Sequence, residues 1–558
     1  MVQDLKTSLD EQLVKIRREA EEKDAQRKAQ ASGLSYLSLT TAPVQVDALK
    51  IVKEDEARRL LVAPFQLKEK EVALAMVNPD APGVKGLIKK LESQGLTVKP
   101  FVVSAGSLAH VWSFYQYVIA ASDEITGKVS IEKTRIEELF KKLTSLEKIK
   151  TEILNFDLKK FPTGQILEVA LAGALNNRAS DLHFEVEEKG VRLRYRIDGL
   201  LHDVMPSLSL DIYKFIVSRI KLLSNLKLNV QDVPQDGRFT IAMNGKDIEL
   251  RVSTIPSEYG ETIVMRVLDP AAIRITLPQL GFRKDDLVII QEELNQPNGM
   301  AINTGPTGSG KTTTLYAFLL SKLSEETKII TIEDPIEYHL GGVEQTQVDP
   351  EAGYDFAGGL RSIMRQDPDV ILVGEVRDKE TADISLQAAL TGHLVFSTVH
   401  ANSAAGAIPR FLDLGVKPVS IGPAMNLIIA QRLVRRLCEK CKVPAKLTSE
   451  QETKVKKFFN GLPKRVNRKD HETITLFQPK GCPECTGLGY KGRVAVFELF
   501  RVDDGVERLI GANVGEADLI KQADKQGMVT MQQDGILKVL AGMTTFDEVE
   551  GVTGPLKW

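Results

Sequence analysis

Residues 305–312 read Gly305-Pro306-Thr307-Gly308-Ser309-Gly310-Lys311-Thr312, a G-x-x-x-x-G-K-T run. Before it, Met300 to Thr304 has strand character; after it, Thr313 to Leu323 is Leu-rich and free of Gly and Pro, as a helix would be. In a strand–loop–helix context the glycines let the backbone wrap around a polyphosphate. Successive N–H groups and the helix N-terminus then hold its charge. On this reading Gly305 through Thr313 contact the nucleotide, Lys311 reaches the β- and γ-phosphates, and the Thr312 hydroxyl sits on Mg²⁺. The competing reading is a glycine-rich turn, and the flanking strand and helix weigh against it.

From residue 285 onward, helix and strand patterns alternate, which implies a mostly parallel sheet flanked by helices. Ile329–Ile332, Val370–Val373 and Leu394–Val399 are further apolar strands. Each ends in polar residues, at the edge where open α/β sheets bind ligands. One delivers Glu333-Asp334-Pro335 and the next Gly374-Glu375. Two acids at strand ends beside a phosphate loop suit a hydrolase, one orienting the Mg²⁺ shell and one polarising water. We expect Glu333 as the base and Glu375 on the metal side, although acids there can also simply cap helices. His393 and His400 bracket the fourth strand and read as a γ-phosphate sensor, an interface relay or hydrogen-bonded structural groups. Arg361 and Arg365 share one face of a helical segment and suit either phosphate contact or a surface ion pair.

All four cysteines fall after residue 437, as Cys438-x-x-Cys441 and Cys482-x-x-Cys485. Each pair suits two thiolates on one tetrahedral ion, with Gly481, Pro483, Gly487 and Gly489 making the tight turns. A helix expected at Ser449–Phe459 accounts for the long separation. Structural zinc is the reading; an iron–sulfur cluster or a redox dithiol is the alternative.

The 558 residues exceed one core, and length suggests about three to five domains. Lys+Arg (73) nearly balance Asp+Glu (75), so nothing global points to nucleic acid. The first 30 residues are dense with charge, unlike a signal peptide, and no apolar run approaches the roughly 18 residues of a membrane span. A cytoplasmic chain is expected, with room for a membrane-bound partner.

Residues 1–30 pattern as a helix with Leu5, Leu9, Leu13 and Ile16 on one stripe, for docking or simply as a frayed surface helix. Residues 31–118, with strands at Arg59–Ala63, Val72–Met76 and Val98–Val103 and a helix at Val84–Gln94, read as a small α/β docking module. Residues 119–160 read as a helical linker (Ile131 to Leu154). A second module spans 161–268, with a helix at Ile166–Leu175 and strands at Asp181–Val186, Val191–Ile197, Arg238–Met243, Ile248–Thr254 and Thr262–Leu268. Its strand arginines 192, 194, 196, 251 and 266 are either a wet sheet face or groups aimed at the polyphosphate of a neighbouring copy. Residues 269–284 form a connector.

Taken together, Gly305–Thr313, Thr331-Ile332-Glu333-Asp334-Pro335-Ile336-Glu337, Arg365 through Asp378 (with Asp367-Pro368-Asp369 and Gly374-Glu375) and Leu390 through His400 resemble the secretion ATPase superfamily. Within it the chain resembles type IV pilus assembly and type II secretion ATPases, and Ala179–His183 and Pro234–Arg238 also fit. The resemblance covers about 160–558 closely and 31–118 more loosely. It implies a RecA-like P-loop ATPase domain at 285–558, a PAS-like α+β second N-terminal domain, a small N-terminal α/β module and a tetracysteine zinc subdomain at 434–495. It further implies a homo-hexamer that binds ATP and Mg²⁺ between the second module and the ATPase domain, aided by Arg251 and Arg266 acting in trans. Glu333 matches the acidic box, Glu375 the Walker B acid, and His393 and His400 the histidine box. The implied partner is a polytopic inner-membrane platform protein, met at the cytoplasmic face of the membrane without direct nucleic-acid contact. A DNA-processing RecA-like motor or a DNA-uptake pilus ATPase is the alternative. Two departures stand out. Asn303 occupies a usually apolar position, which predicts softer packing. The N-terminal region lacks the tandem Arg-Leu-Gly-led repeats by which some relatives bind cyclic di-GMP, so that ligand is not expected.

Overall fold

The computed structural model describes residues 20–557 apart from 40–43, 45, 69, 118–127, 131–132, 157–162, 244–245, 270–274, 472–473, 475 and 513–514. The stripe Leu5, Leu9, Leu13 and Ile16 lies outside these residues. A helix over 20–32 packs Ala25 and Ala29 against Val102 of the first module. That module is a four-stranded sheet in the order Ser35–Tyr36, Thr97–Val102, Glu71–Met76, Val62–Lys68. The strand expected at Arg59–Ala63 is displaced. Glu54–Leu60 is a helix with acids in its first turn and Arg58 and Arg59 in its last, the polarity that suits the helix dipole. Leu61, at φ 53°, then turns the chain into the strand.

The second module holds a seven-stranded sheet, ordered Lys128–Ser130, Gln235–Met243, Lys246–Ser257, Gly260–Leu268, Ala179–Glu187, Gly190–Ile197, Leu200–Leu208. The stretch expected as a linker contributes to it directly. Lys128–Ser130 pairs in parallel with Gln235–Met243, and helices Lys133–Lys142 and Leu146–Leu154 bury Ile136, Leu139, Ile149 and Ile153 in the module's core. Asn176 ties them in, donating to the carbonyls of Phe140 (2.9 Å) and Leu143 (3.0 Å). The strand Leu200–Leu208 and the helix Leu210–Leu223 were not expected; the helix buries Ile212, Tyr213, Ile216 and Ile220 at helical spacing.

The C-terminal domain's sheet is built from β1 (Gly299–Thr304), β2 (Ile329–Glu333), β3 (Glu344–Gln347), β4 (Val370–Val373), β5 (Leu394–Val399), β6 (Met425–Leu437) and β7 (Tyr490–Arg501). Its order is β3-β2-β4-β5-β1-β6-β7, parallel except for the β6–β7 pair. Buried residues cover both faces. Phe318, Phe396 and Phe497 pack on the side of helix α1 (Lys311–Lys322), while Ile302, Val373 and Val395 pack on the side of helix α2 (Lys379–Leu390). β6 and β7 form a long ribbon whose ends carry the cysteine pairs, with helix Ser449–Gly461 between them. Leu488, in the turn between Cys485 and β7, packs on the second module's core, and the Gly492 N–H donates to Asp198 of that module at 2.9 Å.

Candidate functional site

The phosphate loop leaves β1, a strand buried at all six positions, and enters α1 at Lys311. Gly310 sits at φ 91°, a backbone conformation that favours glycine, and a Cβ there would stand 2.8 Å from Gln431 Nε2. Lys311 Nζ donates to the carbonyls of Gly305 (2.8 Å) and Pro306 (3.2 Å). Burial pushes the Lys311 ammonium below its usual pKa, with Glu375 opposing and Arg432 adding to the shift. Thr312 and Thr313 are half-buried in the first turn of α1. Beneath the loop, Asn303 is fully enclosed. Its Nδ2 donates to Gln431 Oε1 (2.9 Å), which also accepts from Thr314 Oγ1 (2.9 Å). The soft packing expected of Asn303 is replaced by a polar bridge between β1, β6 and α1.

The two acids occupy different environments. Glu375 follows β4, is 14% exposed, pairs with Arg377 and lies 3.7 Å from His400 Nε2. Glu333, expected as the base, is instead buried and occupied. Its carboxylate accepts from Tyr316 Oη (2.5 Å), Thr331 Oγ1 (2.6 Å) and Gln345 Nε2 (3.1 Å). Three donors thus hold the enclosed Glu333 carboxylate, whereas Glu375 meets Arg377 and His400 and stays partly exposed.

The two histidines part company as well. The register Gly299↔Leu394 and Thr304↔Val399 puts His400 beside the phosphate loop. His393 lies at the opposite edge of the sheet, a strand length of about 20 Å away. There its Nδ1 lies 2.9 Å from the Ala388 carbonyl, so within one chain His393 is not part of the phosphate site. Arg361 pairs with Glu380, and Arg365 donates to the Arg361 carbonyl (2.9 Å) and Ser362 Oγ (3.2 Å), the surface-pair arrangement.

Across a cleft of about 1150 Å³, the second module faces the chain that follows Glu333. Arg238, Arg251 and Arg266 stand in one cross-strand row, with Asp181 next in line. Arg251 donates to Glu337 (3.2 Å) and to the Ile336 carbonyl; Arg266 donates to Asp181 (3.1 Å). Arg192 and Arg194 are taken up on their own sheet by Asp203 and Glu185.

A family model described as Type II/IV secretion system protein matches residues 158–551, well over half of the chain. The chain belongs to this family. An MshEN domain model matches residues 32–117 of this family member. It is 36% identical over 526 residues to the "Type IV pilus assembly ATPase PilB" of Myxococcus xanthus, covering 94% of this chain and 89% of the relative. It is 43% identical over 393 residues to the "Type II secretion system protein E" of Dickeya dadantii, covering 70% of this chain and 76% of that one. The crystal structure of the Legionella pneumophila ATPase DotB matches the fold with a TM-score of 0.50 at 20% identity, over 69% of this chain and 94% of that chain. Fold, phosphate loop and family together make the chain a RecA-like ATP hydrolase.

This family member's four cysteine Sγ atoms lie within 4.8 Å of one another. Cys438–Cys482 are 3.9 Å apart, and Cys441–Cys485 and Cys482–Cys485 3.8 Å. A tetrahedral zinc with bonds of about 2.3 Å sets its sulfurs about 3.8 Å apart, so the cluster fits that ion. The N–H groups of Cys482 and Gly489 both donate to Cys485 Sγ at 3.2 Å, as suits a thiolate.

Tyr316, Gln345, Gln431, Arg432 and Glu337 were missed as site residues. Gln431 and Arg432 had a signal: consecutive polar residues within the apolar run Met425–Leu437.

Proposed function

We propose that this ATP hydrolase is a ring-forming motor that powers assembly of a type IV pilus or a type II secretion fibre. It would work at the cytoplasmic face of the inner membrane through a polytopic platform protein. Supporting this is the arginine row 238–251–266, which lies on a separate module and faces the ATPase domain across an open cleft. Arginines so placed change their distance from a phosphate when the two bodies move, within one chain or between neighbours in a ring. No helix of the described residues is long and apolar enough to cross a membrane, which fits action through a partner.

In the hydrolysis step the loop amides and Lys311 hold the β- and γ-phosphates of ATP. Glu375 accepts a proton from the attacking water, and His400, 3.7 Å from it, orients that carboxylate. Glu333 anchors β2 to α1 through Tyr316. Thr312 would hold Mg²⁺, which would neutralise charge on the phosphates. Zinc on the four cysteines would stiffen the end of the β6–β7 ribbon. Mixing Lys311→Ala with Arg251→Ala subunits tests the shared site. Regained turnover in the mixture supports arginine action in trans, whereas turnover that only averages the two inactive parents refutes it. Particle mass with and without a non-hydrolysable nucleotide tests the ring.

A further inference from the structure

β6 runs beside β1, and the residue after Gln431 on it is Arg432. The side chain crosses the C-terminal edge of the sheet. Nη1 donates to the Gln431 carbonyl (3.0 Å), and Nη2 donates to the Asn402 carbonyl (3.1 Å) in the loop leaving β5. The first glycine of the phosphate loop lies beneath this span, since a Cβ on Gly305 would stand 3.1 Å from Nη1. Among the described residues only carbonyl oxygens hold the group. Among the described residues no carboxylate lies within ion-pair distance of Arg432. Glu498, the acid whose charge it feels, accepts instead from the N–H groups of Ala404 (2.9 Å) and Met531 (3.4 Å). Other half-buried arginines here are matched: Arg435 by Glu548, Arg283 by Asp286 and Asp534. A guanidinium has five N–H donors, so three remain for an incoming anion, and a half-buried cation without a counter-charge gains from one.

We propose that Arg432 is a second cation of the phosphate site, supplied by β6, that binds a polyphosphate oxygen together with Lys311. The inference rests on the chain being an ATP hydrolase and adds a ligand residue outside the phosphate loop. Arg432 also spans to the loop that carries His400, so a phosphate bound between Lys311 and Arg432 draws β1, β5 and β6 onto one anion. Burial lowers the pKa of both cations, and Arg432 adds to the effect on Lys311, so the two groups lie within electrostatic reach of one another.

The test uses the full-length protein and two probes, a fluorescent ADP analogue and inorganic tripolyphosphate competing with it. Arg432→Gln should weaken both by about tenfold, and Arg432→Lys, which cannot span both carbonyls, by about threefold, with ligand-free melting temperatures unchanged. Parent-level affinity in either variant overturns the proposal. So does loss of the ADP analogue with tripolyphosphate retained, which would place the contact on the sugar or base. Lys311→Ala separates this from the broader reading: if it too binds at parent level, the phosphate-loop assignment fails, whereas if it alone loses binding, only the role of Arg432 fails.

Discussion

Gln431→Leu tests the polar floor of the phosphate loop. One oxygen, Gln431 Oε1, serves Asn303 Nδ2 and Thr314 Oγ1, each at 2.9 Å, and all three residues are enclosed. Leucine keeps most of the volume and removes the shared acceptor. Each buried donor left unpaired costs about 1–3 kcal/mol, and burying leucine in place of an amide returns about 1–2 kcal/mol. The net loss is about 1–4 kcal/mol, concentrated where β1, β6 and α1 meet. The chain is multidomain, so a single unfolding free energy is ill defined. Native-state hydrogen exchange of peptides covering 299–304 reads the local loss instead, as a fall in protection of about 5- to 1,000-fold. Adding Asn303→Leu removes one of the two stranded donors and should recover about half of the loss on a logarithmic scale. Protection within threefold of the parent in Gln431→Leu would refute the reasoning, as would a double variant less protected than the single one.

Lys311→Ala and Glu375→Gln should each lower ATP turnover by at least about 100-fold, measured as phosphate release; Glu375→Gln at near-parent rate would return the base to Glu333. Glu337→Gln loosens Arg251 from a half-exposed ion pair worth up to about 1 kcal/mol, so turnover should rise up to about fivefold; a fall matching Arg251→Ala would show that Glu337 is itself required. Metal analysis should find one zinc per chain, absent in Cys482→Ser, whose amides around Gly492 should also exchange faster. Burial pushes the Asp286 carboxyl up to about 6, although Arg283 (2.6 Å) and Arg465 (2.9 Å) pull the other way. Its folded value exceeds its unfolded one, so its stabilising contribution is complete below about pH 4 and is lost as pH rises through about 6. Asp286→Asn should therefore flatten the melting temperature's pH dependence between about pH 4 and 7; an unchanged slope counts against this.

The parts of the site carried by local pattern were legible in the sequence. The phosphate loop, the strands Val370–Val373 and Leu394–Val399 and the cysteine spacing all follow from short-range rules about turns, periodicity and ligand geometry. What escaped was set by distance along the chain. Gln431 meets Asn303 across 128 residues, and no local period records that one oxygen serves two donors. His393 and His400 looked equivalent because they bracket one strand, yet a strand has two ends and only one borders the loop. Glu333 read as a base from its place after a strand, whereas Tyr316 and Gln345, which occupy it, come from other elements. The expected linker misled for a compositional reason: helices Lys133–Lys142 and Leu146–Leu154 are charged outside and apolar on one narrow stripe, and that stripe is buried.

The docking of the cysteine-bearing turn has a mechanical consequence. The second module is joined to the ATPase domain covalently through the connector and again, far along the chain, where Leu488 and Gly492 meet it. A rigid body pinned at two points keeps one freedom, a swing about the line between them. Arg251 on Glu337 and Ile336 supplies a third pin, built from an ion pair and a carbonyl bond that solvent or a phosphate can replace. With that latch closed the swing is blocked; opened, the module would turn on a fixed axle, with the cysteine-bearing turn as one of its bearings.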